Sequence, residues 1–528
     1  MTTAITIGMI IIYVAIMMGI GVYTARQTRS VSDFVLGSHS VGSWLTAFAY
    51  GTSYFSAVVF IGYAGQFGWT YGVSAAWVGV GNALLGSLLA WIVLGRRTRI
   101  MTQSLGAKTM PEYFEKRWNS KGLKIAAALI VFVFLIPYTA SVYNGLSRLF
   151  NMAFQIESEG AYKIIIIVMA LLTAIYVILG GYAATAINDF IQGIVMLIGI
   201  AAVVICAIQN QGGLTSALAA LGEIEVNGKT NTLNSVFGPD PLNLLGVVIL
   251  TSLGTWGLPQ MIHKFYAIKS ENDIKKGAVI STVFALIVAG GSYLLGGFDR
   301  LFCTLTEDGS GKTVISTLSN GKPDFDAMIP SLLHTALPDI LIGLVVVLVL
   351  SASMSTLSSL VLTSSSTLTI DLIKPNLKKC SDKKEMLIMR VLIAVFLIIS
   401  VLLAFNKNAS ISTLMSYSWG ALAGAFLGPF MYGLFSKKIT KPAVWTSFIL
   451  GIGLTLVHMF LFGFGWNPEL SKAAASLPLN LASPINAGAI TMLLSLIVVP
   501  VVSALTKVKD PKHVEQVFTC YAAPEKQD

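Results

Sequence analysis

Between Ser351 and Thr367 the chain reads SASMSTLSSLVLTSSST, and eleven of these seventeen residues carry a hydroxyl. The stretch follows ILIGLVVVLVL, a run apolar enough for a membrane interior. At 100° per residue, Ser351, Ser355, Thr356, Ser358, Ser359, Thr363, Ser366 and Thr367 fall on one half of a helix. Membrane helices carry a few hydroxyls harmlessly, bonded to their own backbone. Eleven, most of them on one side, suggest a lined surface instead. Hard cations prefer oxygen ligands, and neutral oxygens can hold a monovalent ion without burying an opposing charge. Cation binding is the chemistry this stretch offers.

Two further stretches could supply oxygens of another kind. YGTSYFSAVVF gathers Gly51, Thr52, Ser53 and Ser56, and LGTWGLPQM gathers Gly254, Gly257 and Pro259. In hydrocarbon, irregular backbone survives only where it is buried or lines a cavity. Proline removes a donor and glycine eases unwinding, so both stretches read as helix breaks that free carbonyls for ligands. Close helix packing is the plainer use of small residues. It is the better account of Gly420, Gly424 and Gly428.

Other motifs carry less. DGSGKT at 308–313 resembles the end of a phosphate loop, but Thr306 stands where that motif needs glycine, so a polar hairpin is expected. The histidines at 39, 263, 334, 458 and 513 never pair at ligand spacing, and Cys206, Cys303, Cys380 and Cys520 form no motif. No nucleophile or nucleotide site emerges, so the chain is not expected to be an enzyme.

The elements that position these residues follow from composition. Of 528 residues, 55% are hydrophobic and 11% charged, which describes a membrane protein. Apolar segments are expected near 4–24, 43–66, 72–94, 123–150, 162–182, 189–209, 243–268, 276–299, 338–370, 386–405, 412–435, 441–463 and 486–506. The first lacks a basic flank and is long enough to span, so it reads as a helix and not a cleaved leader. Thirteen crossings put the ends on opposite sides. Arg26, Arg29, Arg96, Arg97, Arg99, Lys269, Lys374, Lys378, Lys379 and Lys437 then place the N-terminus outside and the C-terminus in the cytoplasm. The net charge of +10 reflects that topology and not nucleic-acid binding; membrane lipid is the expected surroundings. The whole chain, 1–528, reads as one integral membrane domain. With the first segment set aside, segments 2–6 and 7–11 make two sets of five, about 43–209 and 243–435, each opened by an interrupted helix. Matched interruptions in two halves point to a midplane site in an inverted-repeat transporter.

With GTSYFSA, GGYAATAINDFIQG, GLPQMIHKF and SASMSTLSS in view, the chain resembles the sodium/solute symporter family over nearly its whole length, the bacterial sodium/proline type included. The resemblance implies an all-α membrane protein of about 13 helices. Its fold is a leucine-transporter-like five-plus-five inverted repeat with one extra N-terminal and two extra C-terminal helices. It implies Na+ held by the carbonyls of Thr52, Phe55 and Ala352 and the hydroxyls of Ser355 and Thr356. Some members hold a second sodium ion with an aspartate and two serines corresponding to Asp189, Ser358 and Ser359. The alternative for Asp189 is a helix N-terminal cap, since it opens the sixth segment.

For the solute, Ser53, Ser56, Tyr138, Trp256, Gly257 and Pro259 are the candidate contacts. Tyr138 and Pro259 match proline symporters. Thr251 and Thr255 replace their aromatic residues, Tyr54 replaces an Asp, and Val59 stands where sugar carriers have Gln. Arg148, at a helix end, is expected to anchor the interface. These features favour sodium-coupled import of a small amino or organic acid by alternating access at the plasma membrane. A sodium/monocarboxylate symporter is the alternative. A transporter-like sensor acting with a separate partner, a channel and proton coupling are weaker readings.

Overall fold

The computed structural model describes residues 2–25, 30–37, 41–155, 158–307, 311–318, 321, 323–377, 381–405 and 410–522. His39, Cys380, Arg26, Arg29, Lys378, Lys379 and residues 308–310 lie outside them. Among the described residues, nine helices are long and apolar enough to cross a membrane, ten with one bent pair. The thirteen expected segments map onto them for a simple reason. Val58–Leu105 and Gly160–Asn210 each run through two segments, and Ile411–Phe435 adds a further helix rich in small residues. Each double run turns at a glycine with left-handed φ: Gly72 (φ 62°, ψ −145°) and Gly181 (φ 55°, ψ −147°). Glycine adopts that geometry without steric cost. The turn at Gly181 therefore needs no polar loop, and residues 183–188, expected between segments, are helical.

Side-chain caps start many of the spans. Ser120, Ser270, Ser381 and Ser410 each accept a hydrogen bond from the backbone N–H three residues on. The outer faces then present Ile92, Ile198, Leu402 and Ile449, each at least 60% exposed, a belt suited to lipid rather than water. The ninth span, Asp339–Thr367, lies at the centre. Its most apolar window is 83% buried, against 22% for the N-terminal helix. It packs on Lys121–Phe154, Glu159–Asn210, Thr2–Ala25 and Ser43–Tyr54.

The second span breaks as anticipated. Helix Ser43–Tyr54 stops at Phe55, whose backbone is extended (φ −106°, ψ 100°). Ser56 starts the chain again: its carbonyl accepts from Val59 N at 3.0 Å and Phe60 N at 3.2 Å, and its hydroxyl accepts from Val58 N. Pro241–Gly257 and Pro259–Ala267 meet at a 47° bend. Leu258 between them is extended, because a residue preceding proline is pushed out of the α region. The Gly420–Gly424–Gly428 stripe does pack closely. A Cβ on these residues would meet Gly488, Thr491 or Ser495 of Pro484–Leu505.

One expectation needs correction. Thr313–Val314 pairs in parallel with Cys303–Thr304, so this segment is not the hairpin read from DGSGKT; a tight hairpin turn joins only antiparallel strands. Arg148, at its helix end, pairs with Asp324 of the 301–337 connection, its guanidinium 2.6 Å from the carboxylate.

Candidate functional site

The break in the second span lies against the hydroxyl face of the ninth. The Thr356 hydroxyl stands 3.1 Å from the Ala352 carbonyl, 3.3 Å from that of Thr52 and 3.4 Å from that of Ser53. One hydroxyl has one proton, so three carbonyls converge where at most one is served well. Beside them the Ser355 hydroxyl donates to Thr52 Oγ1 at 2.8 Å, and Thr52 donates to the Phe48 carbonyl. All of these residues are buried. Apart from Phe55, the expected cage is thus gathered in one place: Thr52, Ala352, Ser355 and Thr356. Phe55 comes alongside Ala352 and Ser56 in the wall of a small cavity, ≈ 10 Å³. The Ser53 carbonyl, to which the sequence assigned no such part, faces Thr356 directly. The donor set is hard and uncharged, and it suits a monovalent hard cation carried as cargo.

Asp189 is not an N-terminal cap. The helix continues through it, two turns beyond the Gly181 kink, and the residue has no solvent exposure. Its Oδ2 lies 3.6 Å from the Nζ of Lys264, itself 2% exposed. Lys264 donates to Ser359 Oγ at 3.0 Å, and Ser359 shares a 2.8 Å hydrogen bond with Ser53 Oγ. Ser358 donates to the Ser355 carbonyl within its own helix. Lys264 was visible in GLPQMIHKF, as a cation following a helix break in an apolar segment, but its part in this network was not.

The candidate solute contacts do not share one cavity. Ser53 bonds Ser359, Ser56 caps Val58, and Pro259 lines a different small cavity with His263, Thr363 and Thr367. Trp256 gives its indole N–H to the Leu85 carbonyl at 2.9 Å. Gly257 allows the seventh span close to the eleventh, since a Cβ there would meet the Ala423 Cα at 2.7 Å. Tyr138 is placed differently. Its ring meets Trp419 edge-on at 5.9 Å, and Trp419 meets Tyr54, which stacks on Phe55. Tyr138 OH and Trp419 Nε1 are buried and have no hydrogen-bond partner beyond each other. The indole N–H can only donate, so the Tyr138 hydroxyl proton has no acceptor, and buried donors are seldom left so. Trp419 lies within the glycine stripe of the eleventh span, where composition signalled packing alone.

Comparison with known proteins settles the family. Residues 34–451 match the model of the sodium:solute symporter family. Proteins named sodium/proline symporter from Staphylococcus aureus strains JH9 and COL are each 30% identical over 459 residues, 85% of either chain. The chain belongs to the sodium:solute symporter family. It is a multi-pass membrane protein, and Na+ is its coupling ion. Its fold is that of the leucine-transporter class. A substrate-bound, outward-open Na+-coupled sialic acid symporter superposes with a TM-score of 0.70 at 18% identity, covering 96% of this chain and 98% of the other. A nucleobase-cation-symport-1 family transporter gives 0.50 at 13% identity, covering 92% and 98%. At such identities these two speak for the fold alone.

Proposed function

We propose that this symporter imports a small amino or organic acid, proline-like in size, together with Na+ held between the broken second span and the ninth. The observation that carries the reading is the convergence of the Thr52, Ser53 and Ala352 carbonyls on the Thr356 hydroxyl. In this reading Phe55 and Ser355 complete the shell. The two repeats, about 43–209 and 243–435, rock about the site, and the bends at Phe55 and Leu258 give each a flexible opening helix. The N-terminus faces outward and the C-terminus the cytoplasm, in the plasma membrane. Each sodium ion moving down 100 mV contributes about 2.3 kcal/mol to accumulation.

The Tyr138 hydroxyl, whose proton has no acceptor in the protein, calls for an acceptor group on the solute, as a carboxylate would supply. A monocarboxylate without an amine is the second reading. It is favoured by Thr251 and Thr255, where proline symporters carry aromatic residues: their hydroxyls are spent on the Val247 and Gly86 carbonyls. Proteoliposomes with an imposed sodium gradient, challenged with labelled proline and with unlabelled acetate and pyruvate as competitors, separate the two. Ser355→Ala or Thr356→Ala should raise the half-saturating sodium concentration about tenfold, the effect of about 1.4 kcal/mol from one lost polar contact. Unchanged sodium dependence in both would remove the site.

A further inference from the structure

The place where the sequence anticipated a second sodium ion is furnished with a cation already. The Lys264 ammonium stands 3.0 Å from Ser359 Oγ and 3.6 Å from Asp189 Oδ2, with the Tyr182 ring centroid 5.3 Å away. Nζ and carboxylate are both cut off from solvent, the two side chains being 2% and 0% exposed. The Asp189 carboxylate has the Ser355 hydroxyl and the Lys264 ammonium as polar neighbours, and of the two only Lys264 carries a charge that compensates it. Among the described residues it is the one cation paired with Asp189. Ser358, the third member of the anticipated ligand set, donates its proton to the Ser355 carbonyl within its own helix.

We propose that Lys264 is a resident, covalently tethered cation that takes the position of a second sodium ion, so that one Na+ is bound and carried per cycle. A monovalent cation entering between Asp189 and Ser359 would meet the ammonium on the same two ligands, and like charges at that spacing repel strongly in a buried site. The tether also reaches the main cage. Ser359 binds Ser53 Oγ at 2.8 Å, and the Ser53 carbonyl stands 3.4 Å from the Thr356 hydroxyl. Lys264 therefore holds part of the sodium shell through two hydroxyls, as a positioning residue.

This rests on the sodium cage proposed above, and direct counting of bound ²²Na+ on purified full-length protein tests both separately. Wild type should bind one ²²Na+ per chain with a Hill coefficient of one. Lys264→Gln, which removes the charge and keeps a hydrogen-bonding group, should bind two. Adding Asp189→Asn to it should return the count to one. Lys264→Arg, which keeps the charge, should bind one. Two ions on wild type, or a count that stays at one in folded Lys264→Gln, overturns the proposal. If Lys264→Gln is not recovered folded, the wild-type and Lys264→Arg counts decide. Failure of the cage itself looks different: ²²Na+ binding that Thr356→Ala leaves untouched.

Discussion

At the scale of single residues, the proposed solute site rests on the buried Tyr138 OH and Trp419 Nε1, which have no hydrogen-bond partner beyond each other. Removing one should weaken solute binding and spare the ion. Tyr138→Phe or Trp419→Phe should raise the KM for solute about 3- to 10-fold, the worth of one hydrogen bond, with the sodium dependence retained. Initial-rate uptake against solute at saturating sodium reads the first quantity, and ²²Na+ binding without solute reads the second. A change in both would move these residues into the cage. The serines and threonines of the proposed cage were legible because hydroxyls are rare in apolar segments, so their density on one helix face is itself a signal. Lys264 was not legible, because a lysine in the second half of a bent helix can serve orientation as readily as pairing. Asp189 could be read two ways, since local sequence does not show that its helix begins just after the Gly181 turn and already covers residues 183–188. Trp419 was hidden by its neighbours, whose small size signals packing whatever the tryptophan does.

At the scale of helices, breaks made by proline or by glycine and serine clusters could be located from sequence, because the chemistry of the break lies in the residues themselves. Pro259 cannot donate, and Leu258 before it leaves the α region. The turns at Gly72 and Gly181 were harder to see. A single glycine in an apolar run has many uses, and only its φ distinguishes a turn from a packing contact. Gly181 is doubly constrained: φ is +55°, and a Cβ would meet the Phe34 carbonyl oxygen at 2.6 Å. Gly181→Val should therefore destabilise the protein by roughly 1–3 kcal/mol through left-handed strain alone, with the contact adding to it. The melting temperature of detergent-solubilised protein should fall, while Gly453→Ala, in open space on the twelfth span, should leave it within a degree or two. Equal effects at the two glycines would show that the backbone conformation at residue 181 does not matter.

At the scale of the whole molecule, the rocking of the repeats proposed above needs polar clasps that close each side and can be undone, and two polar networks suit that part. One joins the connection 301–337 to the fourth and eleventh spans. Arg148 pairs with Asp324 at 2.6 Å, and Asp326 accepts from the backbone N–H of Ile411, where the eleventh span starts. Another joins Asp371 to the Thr109 hydroxyl at 2.8 Å and, with Glu115, to Lys124. In the first clasp, burial pushes the Asp326 carboxyl up to about 6; Arg148 and the Ile411 N–H oppose the rise, and Asp324 adds to it. A carboxyl raised above its unfolded value makes the folded state bind the extra proton. Its contribution to stability is fully present below about pH 4 and is lost as pH rises through about 6. In wild type, ionised Asp326 then remains as a buried charge facing Arg148. Asp326→Asn is uncharged throughout, so the stability of wild type relative to the variant should decline between about pH 4 and 7, by about 3 kcal/mol. Thermal unfolding of both proteins in detergent across that range measures the difference and cancels groups they share. A difference that stays constant with pH would mean that Asp326 does not titrate in this window. The clasp would then owe its strength to Arg148 and Asp324, and Asp324→Asn would become the substitution that loosens it.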